Sequence, residues 1–171
     1  MDENTDVKIT DNAKNIYGPP PRSKEVESIL EKNVTESYFV FPEQGGSRLV
    51  RRYEPRYIND GDKCALEDRL HILNMVLEPA DEELALARIF ALLAHYRSDP
   101  LPPSIERYVA EDWLEDMSEF PLWAIDRAAR TWRRTKKFKP QISEMRSLCQ
   151  QEIWDISSER TCLRGLLDKR K

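Results

Sequence analysis

Seven cations between Arg127 and Lys139 are the first residues here whose type and spacing suggest chemistry: Arg127, Arg130, Arg133, Arg134, Lys136, Lys137 and Lys139. Crowded Lys and Arg neutralise phosphates, in contacts that ignore sequence and weaken steeply with salt. The plainer reading is a solvated helix end, where cations complement the negative pole of the dipole. Trp132 and Phe138 lie inside the run. Stacking on bases is open to both, but a place in the core is the expectation. Glu111, Asp112, Glu115 and Asp116 put carboxylates one helical turn apart, a spacing that can hold a cation or a partner's arginine but usually marks a wet helix face. His71 and His95 stand alone, with no His or Cys at ligand spacing, so no metal is expected. Catalysis finds no motif: there is no Gly-rich phosphate loop with Lys, no Gly-x-Ser-x-Gly and no His-Glu-x-x-His. Cys149 and Cys162 fall on or beside an apolar stripe, where a thiol is usually inert. These residues describe a non-enzymatic protein with no cofactor and no small-molecule substrate.

The cations need elements to position them. Ile125, Ala128, Ala129 and Trp132 recur at spacings of three and four, which predicts a helix beginning on Pro121 with a core stripe. Arg127, Arg130 and Arg134 fall on its opposite side. Proline suits the first helical position, since its missing N–H would be unpaired there. A short basic turn follows, and Pro140 sets off another helix that continues through Ile153, Ile156, Cys162, Leu163 and Leu167. Upstream, Leu66, Leu70, Leu73 and Leu77 mark a helix starting near Lys63. Leu84 to Tyr96 is apolar nearly all round, the pattern of a helix buried at the centre of a bundle. Ser104 is the expected N-cap of a helix carrying Ile105, Tyr108, Val109, Trp113, Leu114 and Met117.

The first third reads differently. Residues 1 to about 23 are polar, end in Gly18-Pro-Pro-Pro21, and are expected to be disordered or extended. A short helix is expected over 24–33, then a hairpin over 36–53 with its turn at Pro42–Gly46. A lone hairpin is marginal in water, so it must pack on something, or else this aromatic cluster orders only when bound. The fold class is therefore all-α: a compact bundle of about five helices over 61–171, after a loosely ordered segment, 1–60, with a possible short hairpin.

Bulk properties narrow the class further. The chain has 171 residues and a net charge of -4, but residues 61–120 hold 14 acidic against 5 basic residues. Residues 121–171 hold 6 acidic against 13 basic. An acidic middle of -9 thus precedes a basic third of +7, which can meet nucleic acid, an acidic partner or the acidic middle itself. Three well-separated cysteines make no disulfide framework and fit a reducing compartment. The acidic start is no signal peptide, and no apolar run approaches the ~20 residues of a membrane span. A cytoplasmic protein with no membrane contact is expected.

Phe120, Pro121, Trp123, Ala124, Ile125, Ala128 and Trp132, then Pro140, Glu144, Met145 and Arg146 after a basic link, form a pattern that resembles small phage replication proteins. It is similar to the loader-and-inhibitor proteins of replicative helicases. The helix around Leu84–Tyr96 and the segment Asp112-Trp113-Leu114 also sit as in such proteins, so the resemblance covers about residues 80–150. In that pattern a Thr often follows the proline and caps the helix while Glu reaches back. Gln141 stands there instead, and Glu144 remains.

The resemblance implies a non-enzymatic phage or prophage protein that binds a replicative helicase and loads or inhibits it. The cations from Arg127 to Lys139 are its expected contacts, followed by Leu163, Leu166 and Leu167 as exposed apolar positions of the last helix. Two alternatives stay open. One is a DNA-binding regulator that presents the helix after Pro140 to DNA. The other is an inhibitor of a host nucleic-acid machine, its acidic face around Glu106–Glu119 imitating a phosphate backbone.

Overall fold

The structure is a computed structural model that describes residues 18–41, 47–54, 58–96 and 99–168. In chain order the elements are helix α1 (Lys24–Lys32), strands β1 (Val34–Val40) and β2 (Arg48–Tyr53), and helices α2 (Asp60–Val76), α3 (Glu82–Leu93), α4 (Pro103–Met117), α5 (Leu122–Thr135) and α6 (Ile142–Asp168). The described residues thus form six helices and one antiparallel hairpin. The helix beyond the expected five is α1, which is built into a core. The acidic start of the chain, the expected turn at Pro42–Gly46 and the basic end after Asp168 lie outside the described residues.

The described residues divide into two compact units, one made of residue 18 and residues within 75–154, the other of residues within 19–74 and 155–168. Each has its own core. In the first, Ala85, Ile89, Leu92, Trp113, Met117, Phe120, Ile125, Trp132, Met145 and Cys149 are buried together. In the second, Val26, Ile29 and Leu30 of α1 meet Ile58, Leu66, Leu73, Leu163 and Leu166. Burying one such Leu or Ile contributes about 1.5–3 kcal/mol.

Local chemistry sets the boundaries. Ser23 caps α1, its hydroxyl accepting from the Val26 N–H at 3.2 Å, and Asn33 ends it by donating to the Ile29 carbonyl at 2.8 Å. Asn59 and Asp62 cap α2 reciprocally, each carboxylate or amide oxygen accepting the other's N–H. Asp81 caps α3 by accepting from Glu83 and Leu84. Two starts fall slightly apart from expectation. Pro102 is the N-cap of α4, so Ser104 lies inside the first turn. Pro121 is the N-cap of α5 rather than its first residue. The N-cap of α4 thus falls two residues before Ser104 and α5 starts one residue after Pro121, and in both the fixed proline φ sets the entry of the chain. At α6 the Glu144 carboxylate accepts from the Gln141 N–H at 2.9 Å, so the reaching half of the capping box is in place.

In the hairpin, Tyr38 pairs with Val50, Phe39 with Leu49 and Ser37 with Arg51, with an irregularity between Val34 and Glu36. Its base is closed by the Glu54 N–H donating to the Asn33 carbonyl at 2.9 Å, and Tyr53 packs on the second core. That supplies the support an isolated hairpin lacks. The second unit also holds a buried ion cluster. Glu159 accepts from Arg69 at 2.9 Å and 3.4 Å and pairs with Arg22 at 3.1 Å. Arg69 also donates to the Pro20 carbonyl at 2.8 Å, which fastens the end of the proline run.

One expectation for α3 is corrected. Its apolar sequence predicts burial on every side, yet it buries Ala85, Ile89, Leu92 and Leu93 while Leu84 and Phe90 stand exposed. The helix packs on α4 and α5, and two neighbours on one side cover only one stripe.

Candidate functional site

The cations gather where α5 ends and the link to α6 begins. Trp132 is the residue that builds this place. Its ring is buried in the first core, and its indole N–H donates to the Phe138 carbonyl at 2.9 Å. The Trp132 carbonyl accepts from the Lys136 N–H at 2.8 Å, and the Tyr96 hydroxyl donates to the Lys136 carbonyl at 3.3 Å. The link is therefore held at three backbone atoms of two residues, Lys136 and Phe138. Pro140 is buried behind it and directs the chain into α6.

Fixing the backbone this way turns the side chains outward. Lys136, Lys137, Phe138 and Lys139 are all exposed, and Phe138 retains 80 % of its accessible surface. Phe138 is thus not the core residue expected from its type: Trp132 already fills the core position, and the link has left the helix before Phe138 is reached. Trp132 itself is core, as expected. A large aromatic exposed between lysines is the arrangement that stacks on a base while cations neutralise the adjoining phosphates.

The seven predicted cations separate into two groups. Arg127 lies 5.1 Å over the Trp123 ring and 3.9 Å from Glu152. Arg130 pairs with Asp126 at 2.7 Å, and Asp126 also accepts from Arg88. These two are engaged along α5. Arg133 and Arg134 lie in the last turn of α5, with Arg133 3.5 Å from the exposed His95 ring. Lys136 lies 5.7 Å from the centre of the Trp132 ring. Arg134, Lys137 and Lys139 have no acidic partner among the described residues. The structure therefore leaves Arg133, Arg134, Lys136, Lys137 and Lys139 exposed, without a carboxylate partner among the described residues, in one stretch with Phe138, and ties Arg127 and Arg130 to carboxylates.

Other expected contacts fall elsewhere. Leu163 and Leu166 are buried in the second core, at 0 % and 2 % exposure, with Leu167 packed beside them. They are not exposed apolar positions, because α1 and α2 supply residues that cover them. Among the described residues no cluster of His, Cys, Asp and Glu could hold a metal ion. No described helix is long and apolar enough to cross a membrane. Tyr96 was missed by sequence reasoning, since nothing in its spacing ties it to a link forty residues on. The signal for Phe138 was present in the run Lys136-Lys137-Phe138-Lys139, an aromatic interleaved with cations. Compared with family models, curated proteins and solved structures, the chain matches none.

Proposed function

We propose that this chain is a non-enzymatic accessory protein of phage or prophage DNA replication that engages a replicative helicase and loads or restrains it. Its cationic link holds nucleic acid by the backbone. The observation that carries this reading is the link itself: three lysines and an exposed Phe138 on a backbone held by Trp132 and Tyr96. Preorganisation matters because a flexible lysine tail loses side-chain and backbone freedom on binding, whereas a fixed one has already lost part of it. The helicase as partner follows from the likeness of Phe120–Arg146 to helicase loader-and-inhibitor proteins.

The two alternatives have weaker support. Reading bases from α6 would need Arg146, but its guanidinium donates to the Asp116 carbonyl and carboxylate at 3.0 Å and 3.1 Å and pairs with Glu119. Imitation of a phosphate backbone by α4 is blunted by the same contacts and by the Arg107–Glu111 pair.

Anisotropy of a labelled 20-base-pair duplex, titrated between about 50 and 200 mM salt, tests the link. Each lysine removed is expected to lower the slope of log affinity against log salt by about one. The triple variant K136A/K137A/K139A should therefore lose about three. An unchanged slope overturns the nucleic-acid contact. Capture of a hexameric helicase by the full chain from nuclease-treated host lysate supports the partner, and its capture only in untreated lysate overturns a direct protein contact.

A further inference from the structure

The hairpin of the second unit carries its own set of aromatic and cationic side chains, none of them used above. Phe39 and Phe41 are 62 % and 77 % exposed, and Leu49, the partner of Phe39 across the strands, is exposed as well. Phe39 lies in β1, on the face it shares with Leu49, and Phe41 follows one residue after the strand ends, so two exposed rings stand two positions apart along the chain. An apolar sheet face of this kind, built for a protein partner, would be expected to be rimmed by mixed polar groups. Here its partner strand reads Arg48-Leu-Val-Arg51-Arg52-Tyr53, and the strands carry one acid, Glu36, which pairs with Arg52 at 3.1 Å. Beside this strand lies an open cavity of about 220 Å³ lined by Tyr38, Arg51, Arg52, Tyr53, Thr161 and Cys162, with no acidic side chain on its wall.

We propose that the hairpin is a binding platform for single-stranded nucleic acid, with bases stacked on Phe39 and Phe41 and phosphates drawn to Arg51, which stands opposite Ser37 on the Phe39 face. Stacking needs an exposed base face, which a duplex offers only at its ends, whereas every base of a single strand has one. The platform is therefore selective for strands already separated. This inference does not rest on the reading of the cationic link, whose lysines neutralise phosphates of single strand and duplex alike.

The test uses the full chain and fluorescein-labelled oligo-dT of 20 nucleotides, with unlabelled oligo-rU and a 20-base-pair duplex as competitors. F39A/F41A is expected to weaken single-strand affinity at least tenfold while duplex affinity changes less than twofold. R51A is expected to weaken it and flatten its salt dependence, whereas R52A, on the opposite face, should change it less than twofold. F41W is expected to retain affinity, which a loss of fold would not allow, and an unchanged far-ultraviolet circular dichroism spectrum guards the alanine variants. Loss of affinity in K136A/K137A/K139A but not in F39A/F41A assigns all binding to the link and overturns the platform. So does absence of oligo-dT binding by the unaltered chain, or equal losses for single strand and duplex. Preference of oligo-dT over oligo-rU, or the reverse, identifies the strand as DNA or RNA.

Discussion

At the scale of single residues, Phe138 and Cys149 show what a side chain's type does and does not announce. Both are apolar enough to be expected inside. Cys149 is buried, and burial pushes its thiol far above its ordinary value, with Glu152 adding to the shift. Phe138 is outside, because its position is set by a hydrogen bond from Trp132 to its own carbonyl and not by its hydrophobicity. No periodicity can carry that information, since the residue lies between two helices. The cysteines yield a prediction. Cys64 is exposed and Cys149 buried, so a thiol reagent at pH 8 should modify Cys64 within minutes and leave Cys149 unmodified until the protein is denatured. The sign of the pH effect follows from the raised thiol. Its contribution to stability is whole below the ordinary thiol value of 9.0 and is lost as pH rises beyond it, because only the unfolded chain ionises there. Denaturant midpoints should therefore fall above pH ~9, and fall less in C149A, whose overall stability is lower.

At the scale of elements, prolines marked where helices start to within one or two residues, as at Pro102, Pro121 and Pro140. The hairpin strands and the apolar stripe of α6 are legible from composition and spacing instead. Less legible was which face of each element finds a neighbour. Leu163 and Leu166 look available on an isolated helix, and only the distant α1 and α2 make them core. The same long-range assembly produces the Arg22–Glu159–Arg69 cluster, whose members are far apart in sequence. Glu159 is the one acid between two guanidiniums, and Arg69 and Glu159 are both nearly buried. Removing the shared partner leaves a buried charge uncompensated, which costs about 3 kcal/mol or more. E159Q is therefore expected to lower stability in urea by about that amount, whereas R22A, at the more exposed end, should cost about 1 kcal/mol or less. Equal effects of the two would show that the cluster is not organised around Glu159.

At the scale of the whole molecule, charge is divided rather than balanced. A chain of net -4 repels a polyanion at distance, and attraction begins only when the cationic link is near. Screening at physiological salt shortens the reach of both fields to about 8 Å. Replacing the exposed acids Asp112 and Glu115 of α4 by lysine brings the net charge from -4 to zero. Association of a labelled duplex should then accelerate several-fold at about 20 mM salt and converge with the unaltered chain near 300 mM. A difference that persists at high salt would mean that the new lysines make contacts of their own. The segregation of charge was visible in the sequence. The division into two cores was not, because it depends on the end of α6 returning to α1 and α2.

The tethered link has a consequence for the survival of the chain. Arg133 to Lys139 is the densest run of sites for a trypsin-like protease in the sequence, and such enzymes must draw a substrate into an extended conformation before they cut. Three hydrogen bonds hold the backbone of Lys136 and Phe138 on the protein and must break before the segment can be drawn into a protease cleft. Tryptic cleavage of the folded chain should therefore be slow at this run, and the W132F variant, which removes the indole N–H, should be cut there faster than the unaltered chain.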